Sequence, residues 1–517
     1  MKKPTPARIS QLIFLALFLV LFLMTEYRGS DRIVAAVNGF FRANPLTAVT
    51  TLLAAKGYVP LVLPGLLVLL FSLFLGRFFC GWLCPLGTVL DLVTGRIGKT
   101  VPPSWLTGRV KFWLLLPLLG AALFNLNIAG LFDPIAILLR GLTFCLHPLV
   151  GDTVRGGWRG LYGIMGEGRD LLAPGFRLVN DYLLPFREAL YPLAFASLLL
   201  LVLVICLERF GERTWCRRLC PLGTLLGMAA RFSPLVRTPD APCSSCRRCA
   251  AACPSGFDRE LMQKEECLAC MACVATCPTG KVGFSFGLRS EEKPLMERRV
   301  LLGGLLSGFF LARLFRFRDP AARAHLLRPP GVRTEEEFLH RCVRCGECMK
   351  VCLRSALYPA LAQAGVEGLY TPVLIPRLGY CEYNCTLCGQ VCPTAAIPDL
   401  PPDLKKREVI GKAVFDKNHC LPYAKRVDCI VCEEHCPIPQ KAIRSETVVM
   451  SGFRGEKLSV KAPYVVDELC NGCGICENVC PLEGKAGIEV FALRDRAPLP
   501  AALPGDTAVP GAEDPYR

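Results

Sequence analysis

Six cysteine quartets constrain this 517-residue chain more than any other feature, since they hold 24 of its 30 cysteines. Four have the spacing C-x2-C-x2-C-x3-C: Cys243, Cys246, Cys249, Cys253; Cys267, Cys270, Cys273, Cys277; Cys342, Cys345, Cys348, Cys352; and Cys470, Cys473, Cys476, Cys480. Two are stretched at the front: Cys381, Cys385, Cys388, Cys392; and Cys420, Cys429, Cys432, Cys436. In such runs three thiolates hold one [4Fe–4S] cube, and the fourth, redirected by a following proline, reaches the neighbouring cube.

The repetition of this short spacing separates cluster binding from the other uses of cysteine. Disulfide frameworks have no reason to repeat one spacing six times, and zinc ribbons need two CxxC pairs separated by a longer stretch. We therefore expect six [4Fe–4S] clusters. In the first two quartets Cys253 and Cys277 are expected to exchange partners. The last four quartets could pair as neighbours, or outer with outer and inner with inner, and the sequence leaves both arrangements open.

The apolar residues are concentrated before Phe210, although they make up 52% of the whole chain. Four apolar stretches predict membrane spans: Ile9–Met24, Val59–Leu75, Phe112–Phe132 and Ala189–Leu207. Segment Pro134–Val150 is interrupted by Arg140 and His147, so we expect it to be interfacial or re-entrant. Basic residues at the N-terminus and after the second and fourth spans place those parts in the cytoplasm.

The net charge of +16 does not indicate nucleic-acid binding. Six oxidised cubes would offset about 12 of those charges, because each carries about −2 with its four thiolates. The remainder fits basic loops at a membrane surface. No basic helix or aromatic-interleaved basic patch stands out, so we expect no nucleic-acid partner.

The same sequence motif follows the second and the fourth apolar stretches. The motif C-x3-C-P-L-G-T occurs at Cys80–Thr88 and again at Cys216–Thr224. The repeat predicts two helical hairpins, whose functional groups meet at the repeat interface. Cys80, Cys84, Cys216 and Cys220 are therefore candidate metal or redox thiols. They could form one tetrathiolate site for an iron–sulfur cluster or another soft metal, two dithiol/disulfide pairs, or helix-stopping turns without a ligand.

A second targeting signal is predicted in the middle of the chain. Arg298 and Arg299 precede a Gly-rich apolar run that ends near Leu311, which is typical of a twin-arginine export signal. The run is short for a membrane span and suits a signal sequence. A short buried or amphipathic helix is the alternative. If the signal acts, the chain beyond Arg318 lies outside the cytoplasm.

The predicted fold class is an α-helical membrane domain of four spans in two repeated hairpins, with α+β domains like bacterial dicluster ferredoxins. The expected divisions are 1–235, membrane domain; 236–290, cytoplasmic two-cluster domain; 291–318, internal signal or anchor; 319–335, linker; 336–496, exported four-cluster domain; and 497–517, disordered tail.

With these motifs placed, residues 1–290 resemble NapH-type membrane ferredoxins, which share their C-x3-CP turns with the NosR and CcoG groups. Residues from Glu297 onward resemble NapG/MauM-type periplasmic ferredoxins. This resemblance implies a fusion that oxidises quinol from the membrane pool and supplies a periplasmic reductase or multihaem cytochrome, in the NapH/NapG case on the path to nitrate reductase. It also implies a bacterial inner-membrane location with four or five spans and a cytoplasmic N-terminus. Two features depart from the family pattern. The third quartet ends in Cys352-Leu353 instead of Cys-Pro, and two quartets have stretched spacing.

Other redox chemistry has no visible motif in the sequence. There is no Cys-x-x-Cys-His haem attachment site, and no P-loop or flavin motif. No catalytic residue is assigned, and quinol is favoured as the electron donor. Two other readings stay open: a metal-handling maturation reductase like the CcoG group, and a non-catalytic scaffold of a respiratory complex.

Overall fold

The computed structural model describes residues 5–94, 110–165, 169–186, 189–238, 246, 248–255, 264–287, 297–316, 326–361, 363–451 and 457–493. Its first part is a helical bundle. The bundle helices are α1 (Pro6–Met24), α2 (Asn38–Arg42), α3 (Pro45–Ala55), α4 (Leu63–Leu75), α5 (Phe78–Trp82), α6 (Pro85–Thr94), α7 (Val110–Leu123), α8 (Pro134–Gly141), α9 (His147–Met165), α10 (Arg169–Tyr182), α11 (Ala194–Cys206), α12 (Thr214–Arg218) and α13 (Pro221–Ala230).

The remaining described elements are short, apart from helix α16. The helices are α14 (Arg248–Ala251), α15 (Ala272–Thr276), α16 (Arg298–Phe315), α17 (Glu335–Arg341), α18 (Glu347–Lys350), α19 (Leu387–Gln390), α20 (Pro402–Arg407), α21 (Leu421–Lys425), α22 (Val431–Glu434) and α23 (Ile475–Asn478). The strands are β1 (Leu235–Thr238), β2 (Gly283–Phe286), β3 (Leu357–Pro359), β4 (Pro372–Leu374), β5 (Gly411–Phe415), β6 (Ile443–Ser451), β7 (Lys457–Val465) and β8 (Ile488–Ala492). They form four antiparallel pairs: β1–β2, β3–β4, β5–β8 and β6–β7.

The sequence repeat is also a repeat of structure, since α4–α5–α6 and α11–α12–α13 follow the same order. Proline explains where several of the bundle helices begin. Helices α3, α6, α8 and α13 each begin with a proline, placed directly after Asn44, Cys84, Asp133 and Cys220. Proline suits the first helical position, because its missing N–H is not needed there and its φ is already helical.

Within the part of the chain that the structure describes, two helical segments are long and apolar enough to cross a membrane, Pro6–Met24 and Pro134–Ile164. Such segments give only weak support for membrane association. The first matches a predicted span, whereas the helices in the other three predicted spans are α4, α7 and α11, of 13, 14 and 13 residues.

The interfacial segment expected at Pro134–Val150 is instead part of the longer of these two segments, which has a π-helical turn at Leu142–Leu146. Arg140 does not interrupt the helix, because its guanidinium is buried, donates to the Leu131 carbonyl and lies 4.6 Å from the Tyr370 ring centroid.

Helix α16, which carries the predicted twin-arginine signal, lies parallel to α7. Gly303, near its start, approaches Trp113, and Phe309 stacks edge-on with Phe124 at 4.8 Å. Gly308 allows the two backbones to approach closely, since a Cβ there would be 2.6 Å from the Pro117 carbonyl oxygen. The segment is therefore a packed helix of the bundle.

The part of the chain after α16 forms its own core and is seated on one end of the bundle. That core contains seven buried quartet cysteines of this part together with Phe144 and Leu193 of the bundle. Residues 326–335, expected as linker, are packed: Leu327 pairs with Leu374 and Arg328 forms an ion pair with Glu335. The linker prediction is wrong for these residues, because burial of Leu326, Leu327 and Val332 fixes them to the domain. The predicted tail 497–517 and residues 319–325 lie outside the described residues.

Candidate iron–sulfur sites

Two cavities show how the third and fourth quartets combine. One cavity is lined by Cys342, Cys345, Cys348 and Cys392, and we call it site 1. The other is lined by Cys352, Cys381, Cys385 and Cys388, and we call it site 2. In each cavity three cysteines come from one quartet and the last comes from the neighbouring quartet. Of the two pairings left open by the sequence, the structure therefore has the neighbour pairing here.

The fifth and sixth quartets combine in the same way. Site 3 comprises Cys470, Cys473, Cys476 and Cys436, and site 4 comprises Cys420, Cys429, Cys432 and Cys480. Cys436 is within electrostatic reach of Cys473, and Cys480 is within reach of Cys420 and Cys432. The last cysteine of each quartet again joins the other quartet.

The first two quartets lie at the opposite end of the bundle. Cys253 is within electrostatic reach of Cys267, Cys270 and Cys273, as the predicted exchange requires, and these four form the inner site. The second ligand set created by the same exchange, which we call the complement of the inner site, would comprise Cys246, Cys249, Cys277 and Cys243. Cys243 lies outside the described residues, so the structure does not show that set assembled.

A common backbone pattern explains why the regular spacing suits a cube. The residues directly before and after the second cysteine both have positive φ in three regular quartets: Arg344 and Gly346, Ala269 and Met271, and Gly472 and Gly474. Such left-handed positions turn successive N–H groups inward and make a cavity that attracts anions. A [4Fe–4S] cube with four thiolates is an anion, so the described cysteines and their backbone fit this cofactor.

The four candidate thiols of the repeated turns come together inside the bundle. Cys80, Cys84, Cys216 and Cys220 are all buried, between 3% and 6% exposed. Cys216 and Cys220 are each within electrostatic reach of both Cys80 and Cys84. We call these four residues the central thiols. No described cysteine forms a disulfide, and no described group of His, Cys, Asp or Glu is arranged to hold a single metal ion.

Two buried arginines face the central thiols. Arg77 donates to the Cys216 carbonyl at 3.0 Å, and Arg213 donates to the Cys80 carbonyl at 2.6 Å. Asp91 binds the other side of the Arg213 guanidinium at 2.6 and 2.7 Å. Each of these arginines stands three residues before the first cysteine of its turn, a signal that the sequence does carry.

The inner site is seated directly against the central thiols. The Trp82 indole donates to the Ala269 carbonyl at 3.1 Å, and Arg77 donates to the Glu265 carbonyl at 3.1 Å. Gly81 leaves room for the Leu268 backbone, which a side chain there would strike. Burial acts against ionisation of Glu266, but Arg77 and Lys111 together hold the pKa of that carboxyl below its usual value.

Site 1 is seated against the other end of the bundle. Helix α7 has 14 residues and spans about 21 Å. Lys111 at its start pairs with Glu266 beside the inner site, whereas Asn127 beyond its end donates to the His340 carbonyl at 3.0 Å. One continuous apolar core contains the central thiols, the α7 side chains, and Val343 and Cys345 of site 1.

Known proteins resemble this chain both at the C-x3-C turns and in its ferredoxin-type part. A family model described as "4Fe-4S binding domain" matches residues 57–111 and 192–239, the two segments that carry the C-x3-C turns. The chain is 37% identical to the methylamine utilization ferredoxin-type protein MauM of Methylorubrum extorquens over 33% of its own length and 74% of MauM. It is 33% identical to the ferredoxin-type protein NapG of Escherichia coli over 32% of its length and 71% of NapG. No solved structure matches.

The quartets, their wrapped backbones and these relatives define a ferredoxin-type iron–sulfur protein that transfers electrons. The chain belongs to the ferredoxin-type family of MauM and NapG. The relatives account for about a third of it, and they support the four-cluster part of the predicted fusion.

Proposed function

We propose that this protein is a bacterial inner-membrane quinol dehydrogenase that passes electrons to a redox partner outside the cytoplasm, as a NapH-like domain fused to a NapG-like one. The observation that carries the proposal is the single apolar core shared by the central thiols and Cys345. It joins the cysteine sites at the two ends of the bundle. A [4Fe–4S] cube supplies one-electron redox chemistry without a proton, so these sites suit a relay.

The cysteine ligand sets of the six proposed cubes are the inner site, its Cys243 complement and sites 1 to 4. The central thiols are proposed to hold a further cluster. Four cysteines from two repeats supply a complete ligand set, and the guanidinium groups of Arg77 and Arg213 offset its negative charge.

Quinol oxidation releases two electrons and two protons, so one quinol can reduce two one-electron sites. The electrons are proposed to enter at the bundle, and a periplasmic reductase or multihaem cytochrome is proposed to accept them. Trp82, Asp91 and Trp215, the polar groups beside the turns, are half-buried or buried against neighbouring backbone and side chains. They support the structure around the central thiols, and we assign none of them to quinol.

The test compares cysteine variants for reduction by a soluble quinol analogue and by dithionite. Cys84→Ser and Cys220→Ser should slow quinol-driven reduction at least tenfold and leave dithionite reduction unchanged. Cys145→Ser and Cys206→Ser, outside every proposed site, are the matched controls and should behave like the unmodified protein. If quinol never reduces the unmodified protein in membranes, the quinol dehydrogenase proposal fails and a metal-handling role of the CcoG type moves ahead.

A further inference from the structure

Sites 1 to 4 are connected to one another in a single order. Sites 1 and 2 exchange Cys352 and Cys392, and sites 3 and 4 exchange Cys436 and Cys480. The link between the two pairs is a backbone hydrogen bond of 2.9 Å from Cys381 of site 2 to the carbonyl of Cys473 of site 3. The thiol of Cys432 in site 4 lies 3.9 Å from the carbonyl of Cys476 in site 3.

Only site 1 of these four shares the bundle core that holds the central thiols. Val343 and Cys345 pack in that core with Ala129. Arg344 is fully buried at this junction and donates to the Asn127 carbonyl, and Arg140 donates to the Arg344 carbonyl at 3.4 Å. The order from the bundle is therefore site 1, site 2, site 3, site 4, and site 4 stands at the far end.

The stretched spacing of the fifth quartet gives site 4 a distinctive surface. Of the eight residues between Cys420 and Cys429, the first five form α21, and Arg426 follows the helix in the left-handed region with φ 59°. The chain then passes over site 4 with Val427 and Ile430 exposed, 53% and 36%, on either side of the half-buried Cys429. A regular quartet, with two residues between these cysteines, has no room for this segment.

We propose that segment Val427–Ile430 is the docking surface where a partner protein with a one-electron centre near its own surface receives electrons from site 4. This inference rests on the proposed electron-transfer function and names where that function ends. Each transfer moves one electron from a reduced site to an oxidised one, and the last electron reduces the partner's centre. The partner is a redox protein because a one-electron site offers no hydride or group to a small metabolite.

The docking test uses dithionite-reduced full-length protein, so it does not depend on quinol. A soluble c-type cytochrome is the probe protein, and ferricyanide is the small acceptor. Val427→Asp should slow cytochrome reduction at least tenfold, because it places a charge on the contact surface, and should change the ferricyanide rate less than twofold. Leu378→Asp is the matched control: Leu378 is 58% exposed, lies three residues from Cys381 of site 2, and should leave both rates unchanged.

Each other outcome overturns the docking proposal. Slowing by Leu378→Asp alone would place electron exit at site 2, and equal rates in all three proteins would exclude both surfaces. The order is tested separately by electron paramagnetic resonance of the fully reduced protein. Cys385→Ser, which removes a ligand of site 2, should abolish magnetic coupling at site 1 and preserve coupling between sites 3 and 4. Coupling at site 1 that survives this change would contradict the order.

Discussion

Arg77 and Arg213 cross between the two repeats, so that each binds the backbone carbonyl of the first cysteine in the other repeat's turn. The glycine of the second CPLG sequence is needed for the crossing, whereas a Cβ at the glycine of the first would make only an ordinary van der Waals contact with the crossing arginine. A Cβ at Gly223 would lie 2.7 Å from the Arg77 guanidinium, and one at Gly87 would lie 3.6 Å from that of Arg213. The repeats are therefore joined by two equivalent charged contacts at the central thiols.

Replacing either arginine by methionine should loosen the central thiols. Arg213→Met should be the more damaging, because it leaves the half-buried Asp91 carboxylate without its main partner, at a cost of about 1 to 3 kcal/mol. Lysine keeps the charge but not the planar fork that binds two groups at once, so Arg213→Lys should recover only part of the loss.

The measurements are thermal unfolding in detergent and iron content per chain. Arg8→Met, at an exposed position on α1, is the control and should match the unmodified protein. If Arg213→Met unfolds at the same temperature as Arg8→Met and retains its iron, the crossed contacts contribute nothing to stability or binding.

The sequence predicted the chemistry of the sites better than their arrangement. Cysteine spacing is local, so it identified the six quartets and the two turns directly. The pairing of quartets 3 to 6 depends on contacts such as Cys352 with Cys381 and Cys436 with Cys473, which lie far apart in sequence. Only the folded repeat shows that Arg77 and Arg213 cross between the two turns.

The arrangement of helices within the bundle was the least predictable level. Hydropathy located the apolar stretches, but it could not foresee that prolines after Asn44 and Asp133 begin new helices inside the bundle, where the two caps bond to each other. It also treated Arg140 as an interruption of the apolar segment. In the structure the Tyr370 ring and the Leu131 carbonyl partner this charge, and the helix continues past it.

Substitution of the glycines on α16 should test whether the twin-arginine segment stays in the bundle. Gly308→Ala should cost about 1 to 3 kcal/mol, because its methyl group would lie 2.6 Å from backbone atoms of Pro117 and Ala121. Gly303→Ala is the matched control, since its methyl would meet only the Trp113 ring edge at 3.4 Å. Thermal unfolding of the two variants in detergent measures the difference, and equal midpoints would argue against the close crossing.

The exchange of ligands between quartets predicts an unusual pattern of iron loss. Cys348→Ser and Cys392→Ser affect the same site, so the double variant should lose no more than about 4 irons. Cys348→Ser with Cys352→Ser affects two sites, although both residues belong to one quartet, and should lose about 8.

Iron analysis of anaerobically purified protein gives the answer directly. Cys206→Ser is the control for the effect of losing a cysteine that no proposed site uses. If the double variant within one quartet loses the iron of one site only, each quartet holds its own cluster and the exchange is wrong.

The two ends of the bundle are expected to face opposite sides of the membrane. The inner site is bound at the α7 start through Lys111, and site 1 is bound beyond the α7 end through Asn127. Helix α16 connects these ends and runs parallel to α7, with Arg298 and Arg299 at the same end as Lys111. A reporter enzyme fused after Ser290 should therefore act in the cytoplasm, and one fused after Arg517 should act in the periplasm.

Changing Arg298 and Arg299 together to lysine should retain the second reporter in the cytoplasm, because recognition of a twin-arginine signal depends on its arginine pair. Changing Arg313 and Arg316 to lysine at the opposite end of α16 is the matched control and should leave export intact. Two cytoplasmic reporters in the unmodified protein would mean that α16 is a buried helix and that all the sites share one compartment. Electrons would then have no membrane to cross, and a periplasmic partner could not be the acceptor.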